Sequence, residues 1–216
     1  MVGSGQADGQ TSHNNLGPGL NTHMLRIIDN IIPERYQDSI EELMLGSDFP
    51  WYHLGDVTFP GDDIEGHRRT PAAQHLFVEH GKSMSSYFDF IKPLVIIGSQ
   101  MADIEYREID LMRSFLQYPL NPLMMNPEPD PLHVDNDRPH TVLLYYVNDS
   151  EGDTILTNVI KGDEPRRKDL KVTDDMIARR VTPKKGRAVI FDGFRYHTAE
   201  QPTTQMRCII NCNLIG

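Results

Sequence analysis

From Glu108 to Gly216 the chain is written in short apolar runs, IDLMRSFLQY, HTVLLYYVN, DTILTN, GRAVIFDG and MRCIINCNLI, separated by Gly, Pro, Asn and Asp. Runs this short, rich in β-branched and aromatic residues and punctuated by turn formers, read as the strands of an all-β sandwich or barrel. The preceding half has a different texture. LRIIDNII predicts a strand, and after Pro33 the residues Tyr36, Ile40, Leu43 and Met44 recur at helical spacing in PERYQDSIEELML. A second helix is predicted within about 83–101, weakened in its middle by Pro93. The expected architecture is mostly β with flanking helices, a helix-rich support over 24–107 and a β core over 108–216, packed as a single domain over 24–216.

Composition narrows the classes of function. Residues 1–23 hold almost no aliphatic side chains, cannot offset their ordering entropy, and are expected to form a disordered tail. Only two Cys occur in 216 residues, Cys208 and Cys212, and they sit four apart on one predicted strand where they cannot bridge. A reducing, cytoplasmic setting is the expectation. No apolar run is long enough to cross a membrane, so no membrane partner is expected. With 21 Lys+Arg against 31 Asp+Glu the formal charge is −10, which weighs against a nucleic-acid partner, since such binding runs on phosphate neutralisation. The charged stretch 159–182, with Arg166, Arg167, Lys168, Lys171, Arg179 and Arg180, could steer an acidic substrate; the plainer reading is a solvated loop with a short helix near Asp174–Arg180. No fixed-period repeat or Gly-rich phosphate loop is present, and His75-Leu-Phe-Val-Glu79-His80 has the wrong spacing for an HxxEH zinc motif.

His133-Val134-Asp135 carries the chemistry. If the three lie on a strand, the imidazole and the carboxylate project from one face with their Cα atoms about 7 Å apart, prearranged as two metal ligands. Alone the pair means little. Further along, Tyr196-His197 follows GRAVIFDG, where a later strand can face the first and supply a third ligand. Two His and one carboxylate on one side of an iron leave positions open, the facial arrangement of non-haem Fe(II) oxygenases. Arg207 opens the last apolar strand, sharing a face with Ile209, Asn211 and Asn213, while Cys208, Ile210 and Cys212 take the other. A guanidinium aimed inward there is costly unless it meets an anion, which a dicarboxylate cosubstrate would supply. His140 is read as a rim residue at the start of the next strand.

HVDN (133–136), LLYYVN (143–148), GDT (152–154), PKKGRAVIFDG (183–193), YHTAEQP (196–202) and Arg207 resemble the 2-oxoglutarate/Fe(II)-dependent dioxygenases, most nearly their prolyl 4-hydroxylase-like branch, over about residues 108–216. The resemblance implies a double-stranded β-helix, the jelly-roll or cupin-like core, with helices packed on one sheet. It makes His133, Asp135 and His197 the catalytic iron ligands and Arg207 the clamp on the distal carboxylate of 2-oxoglutarate. It places Tyr146 beside that clamp and Tyr118 on the cosubstrate pocket. Implied cofactors are Fe(II), with 2-oxoglutarate and O2 as cosubstrates and ascorbate as a candidate reductant. The implied reaction is hydroxylation of an unactivated C–H bond with release of succinate and CO2. A prolyl residue in a peptide or protein is the first substrate choice. The Pro- and Met-rich stretch between Tyr118 and His133 departs from the branch and would shape the rim. A free amino acid or other small molecule is the alternative substrate, and a non-catalytic jelly-roll binding module the alternative class. A nucleic-acid demethylase is disfavoured because the last strand carries Arg207 as its only arginine.

Overall fold

In the computed structural model, residues 24–58, 70–119, 123, 128–162 and 171–216 are described. The expectations for 1–23, for most of the Pro- and Met-rich stretch and for Arg166, Arg167 and Lys168 lie outside them. The chain begins with β1 (Leu25–Ile28), and Pro33, with φ of −56°, leads directly into α1 (Glu34–Leu45). That helix buries Ile40 and Met44 of the predicted stripe, with Tyr36 and Leu43 partly buried against the same core, and adds Gln37, which the spacing does not single out. After β2 (Tyr52–Leu54), β3 (Ala72–Glu79) and the two-residue β4 (Lys82–Ser83) comes α2 (Phe88–Met101). Pro93 does not break α2. Asp89, whose carbonyl loses its donor to the proline, and Pro93 itself are both exposed, so water can satisfy that carbonyl while Ile91, Leu94 and Val95 stay buried on the other side.

The second half contributes β5 (Glu108–Gln117), β6 (Thr141–Tyr146), β7 (Thr154–Ile160), β8 (Ile177–Val181), β9 (Ala188–Asp192), β10 (Arg195–Ala199) and β11 (Arg207–Ile215). Eight strands form one sheet in the order β1-β9-β6-β11-β5-β3-β2, with β4 paired to β3, and three form a second sheet, β10-β7-β8. Every pairing is antiparallel. The fold is a jelly-roll double-stranded β-helix with helices against the large sheet, as the family resemblance implies.

Three readings need correction. Both α-helices do fall in 24–107, but that half also supplies four strands, and β3 pairs with β5 along most of its length. It is therefore part of the sheet as well as a support. The predicted helix near Asp174–Arg180 is only a 3-10 turn, Asp174–Met176, followed by β8. Ile177 pairs with Thr157 and Val181 with Thr154, and the gain from extending the small sheet prevails over a short polar helix. His133 and Asp135 do not lie on a regular strand. His133 makes a single β-bridge to His197, and Asp135 follows in a bend.

β11 runs through the middle of the large sheet with all nine residues buried. Cys208, Ile210 and Cys212 pack into the core beneath α1 and α2, with Ile40, Met44, Ile91 and Leu94. Ile209 packs into a second core between the sheets, with Leu144, Tyr146, Leu156 and Phe191. Strand alternation alone puts Arg207, Ile209 and Asn211 on that inter-sheet side. Both cysteines are free thiols. No helix among the described residues is long and apolar enough to cross a membrane.

Candidate active site

The inter-sheet space holds a cavity with two polar ends. At one end the backbones of His133 and His197 exchange hydrogen bonds in both directions, His133 N to His197 O at 3.1 Å and His197 N to His133 O at 3.0 Å. A reciprocal pair of this kind faces its side chains the same way, and the two ring centroids are 4.6 Å apart. Each Nδ1 lies 3.1 Å from the carbonyl oxygen two residues earlier, Pro131 O for His133 and Arg195 O for His197. An Nδ1–H donated to a carbonyl places the lone pair on Nε2, the tautomer a metal needs. Asp135 completes the group: one donor atom from each of His133, Asp135 and His197 falls within 4.8 Å of the other two.

The Asp135 carboxylate is held from two sides. Its Oδ1 accepts from Arg113 Nη2 at 3.0 Å, and its Oδ2 accepts from Asn211 Nδ2 at 2.9 Å and lies 3.6 Å from His197 Nε2. Burial by itself would raise this group; the fields of His197, Arg113 and His133 and the Asn211 hydrogen bond outweigh it and keep the carboxyl well below its usual range. Burial, reinforced by His197, pushes His133 down to about 4, so its imidazole is neutral near pH 7. Two imidazole nitrogens and one carboxylate oxygen are a donor set for a divalent first-row cation.

The other end is built around Arg207, only 2% exposed. Its Nε donates to Gly152 O at 3.0 Å, Nη1 to Gln117 Oε1 at 2.7 Å and Nη2 to Thr154 Oγ1 at 2.8 Å. All three acceptors are neutral, and among the described residues no carboxylate lies within ion-pair distance of it. Burial lowers its pKa, but from so high a starting value that it stays charged. A buried cation hydrogen-bonded only to neutral acceptors, with the Asp130 carboxylate acting on it from beyond contact distance, is a ready anion site. Gly152 is required here: its φ is +87°, and a Cβ would stand 2.6 Å from Glu200 O. Leu144, Ile209 and Phe115 line the cavity between the two ends.

The structure brings His133, Asp135, His197 and Arg207 to one cavity. Tyr146 lies behind Arg207: its hydroxyl donates to the Thr154 Oγ1 that Arg207 also bonds, and its ring centroid is 5.7 Å from the guanidinium carbon. Tyr118 is not brought to the cavity; it is 44% exposed just past the end of β5, and Gln117, one position earlier and therefore on the opposite face, reaches Arg207 instead. His140 is also not at a rim. It is 1% exposed, with Nδ1 2.7 Å from Arg138 O. His75 is a core residue, its ring nitrogens 2.8 Å from Pro50 O and 2.7 Å from Ser85 Oγ. Sequence reasoning missed Gln117, Thr154, Arg113 and Asn211. Strand parity could have found Gln117, and Thr154 lies in the GDT motif.

No family model and no curated protein matches the chain. Solved structures do. A prolyl-4-hydroxylase from Pseudomonas putida superposes with a TM-score of 0.55 at 12% identity, covering 91% of this chain and 95% of that one. A prolyl hydroxylase from Trichoplax adhaerens, solved with a peptide fragment of hypoxia inducible factor, gives 0.58 at 16%, covering 90% and 85%. A 2-oxoglutarate-Fe(II) oxygenase family oxidoreductase from Burkholderia pseudomallei gives 0.58 at 11%, covering 88% and 84%. These likenesses establish the shared fold.

Proposed function

We propose that this chain is an Fe(II)- and 2-oxoglutarate-dependent dioxygenase that hydroxylates an unactivated C–H bond of a prolyl residue in a peptide or protein, with release of succinate and CO2. The observation that carries the reading is the pairing, in one cavity, of the His133–Asp135–His197 donor set with the buried Arg207, which lacks a carboxylate partner among the described residues. The donors fit a metal that must keep positions open, and Arg207 fits the far carboxylate of a dicarboxylate.

In this reading His133, Asp135 and His197 hold the iron. Arg207 and the Thr154 hydroxyl bind the distal carboxylate of 2-oxoglutarate, with Tyr146 and Gln117 fixing the two groups that make the contact. The bound metal supplies the activation of O2 coupled to oxidative decarboxylation of the cosubstrate. Leu144, Ile209 and Phe115 keep water from the space between. The two Nδ1–H donors stay committed to Pro131 O and Arg195 O, so neither histidine acts as a proton carrier.

The peptide substrate is supported by the shared fold with prolyl hydroxylases, one of which was solved with a peptide fragment. The test is incubation with proline-containing peptides and, separately, with free proline and other amino acids. One added oxygen on peptide, with equal succinate, is expected. Coupled oxidation of free amino acids alone would replace the peptide by a small molecule. Absence of a visible charge-transfer band with anaerobic Fe(II) and 2-oxoglutarate would favour a non-catalytic binding module.

A further inference from the structure

Arg113 and Asn211 are directly paired in register on β5 and β11, and each holds a different oxygen of Asp135. The two grips are not equivalent. Oδ2, bonded by Asn211, is the oxygen that faces His197 Nε2, whereas Oδ1 is engaged by Arg113. The Arg113 guanidinium is itself fixed, lying over the Phe115 ring at 4.9 Å from the centroid. Its Nε and the Asn211 Oδ1 are buried without hydrogen-bond partners. Two buried polar atoms left unsatisfied are a cost the fold accepts in order to hold these two side chains where they are. Both side chains line the cavity, so the grip on Asp135 is made at the cavity wall.

We infer that Arg113 is a positioning residue that occupies Asp135 Oδ1 and so leaves the carboxylate a single oxygen to offer to a metal. The inference rests on the function proposed above. A carboxylate is able to give a metal one oxygen or two, and a second would take a position that a chelating 2-oxoglutarate needs. An N–H donor to Oδ1 prevents that by competing for its lone pairs. Asn211 is bonded to the other oxygen, Oδ2, which faces His197 Nε2 at 3.6 Å, so its grip sets the tilt of the group and keeps that oxygen on the side of the other two donors.

The test compares Arg113→Met, which removes the donor, with Arg113→Gln, which retains an uncharged N–H. Metal affinity is measured with Co(II) by chelator competition, and 2-oxoglutarate affinity by anaerobic titration of the Fe(II) protein, followed in the visible. Arg113→Met is expected to bind metal at least as tightly as wild type and 2-oxoglutarate about 10- to 100-fold more weakly. Arg113→Gln is expected to stay within about threefold of wild type for 2-oxoglutarate, well inside the range that loss of such a support causes. Unchanged 2-oxoglutarate affinity in Arg113→Met would overturn the inference. So would parallel loss of metal and 2-oxoglutarate, which marks a structural role. If the Met variant does not fold, Arg113→Gln decides alone: weakening of about tenfold or more would show that charge or packing matters rather than the N–H. A wild-type protein that binds neither Fe(II) nor 2-oxoglutarate would overturn the proposed function and this inference together, an outcome distinct from any difference between variants.

Discussion

His133 and His197 are tied to each other through their main chains before any metal is considered, by two hydrogen bonds of 3.1 and 3.0 Å. The bridge is the only pairing outside the named strands among the described residues. It makes the two imidazoles one unit, so moving either backbone displaces both rings.

His133→Ala and Asp135→Ala should both abolish stoichiometric iron, but they should differ in stability. His133→Ala leaves the backbone bridge in place, and its melting temperature should stay close to that of wild type. Asp135→Ala strands Arg113 and the Asn211 amide. Because the Arg113 side chain is 28% exposed, the loss should be nearer about 1–3 kcal/mol than the 3–5 typical of a fully buried pair. Metal analysis beside denaturant unfolding of the metal-free proteins separates the two.

Arg207→Ala should leave iron binding intact and weaken 2-oxoglutarate. Truncating one partner of a buried charged pair costs about 2–5 kcal/mol, which corresponds to roughly 30- to several-thousand-fold in affinity. A titration with unchanged affinity would return Arg207 to a purely structural role as the bridge between Gly152, Gln117 and Thr154.

Gly152→Ala should disturb the same end through the backbone. A side chain at φ of +87° is strained, and its Cβ would press on Glu200 O. A stability loss of about 1–3 kcal/mol is expected, together with weaker 2-oxoglutarate binding as the carbonyl that Arg207 Nε uses is displaced. Unfolding curves that match wild type would contradict this.

The segment entering Arg207 should respond to acid. Glu151 bonds the Thr204 hydroxyl and the backbone N–H groups of Thr204 and Gln205. The Thr204 contact, ahead of those backbone bonds, lowers Glu151 from 4.5 to about 2. A carboxyl depressed in the folded state stabilises it above its unfolded value, and that contribution disappears as pH falls through the folded value. The stability difference between wild type and Glu151→Gln should therefore be full above about pH 5 and gone near pH 2. A difference constant across that range would show that the charge is not responsible.

How much could be read in advance follows from the range of each interaction. Strands β5 to β7, β9 and β11 were legible because short apolar runs bounded by turn residues are local signals, as at Arg207–Ile215, buried along its whole length. His133, Asp135, His197 and Arg207 were legible because their motifs stand in order along the chain. β3 was not, since AAQHLFVE becomes a strand only through β5 beside it. Arg113 gave no signal for the same reason. Its partner Asn211 lies on a distant strand, and only sheet register sets the two side by side. Tyr118 shows the cost of a one-residue step, which on a strand exchanges inside for outside.

β11 shows one face to the helices and the other to the cavity. The wall that holds Arg207 and Asn211 is thus the reverse side of the wall that holds Cys208, Ile210 and Cys212. A chain cut near residue 107 would lose α1, α2, β1 and β3, and β11 would turn a bare apolar surface to water. Grafting or minimising this site therefore requires carrying the helical backing along with it, and selection for tighter packing beneath the helices would reshape the cavity at the same stroke.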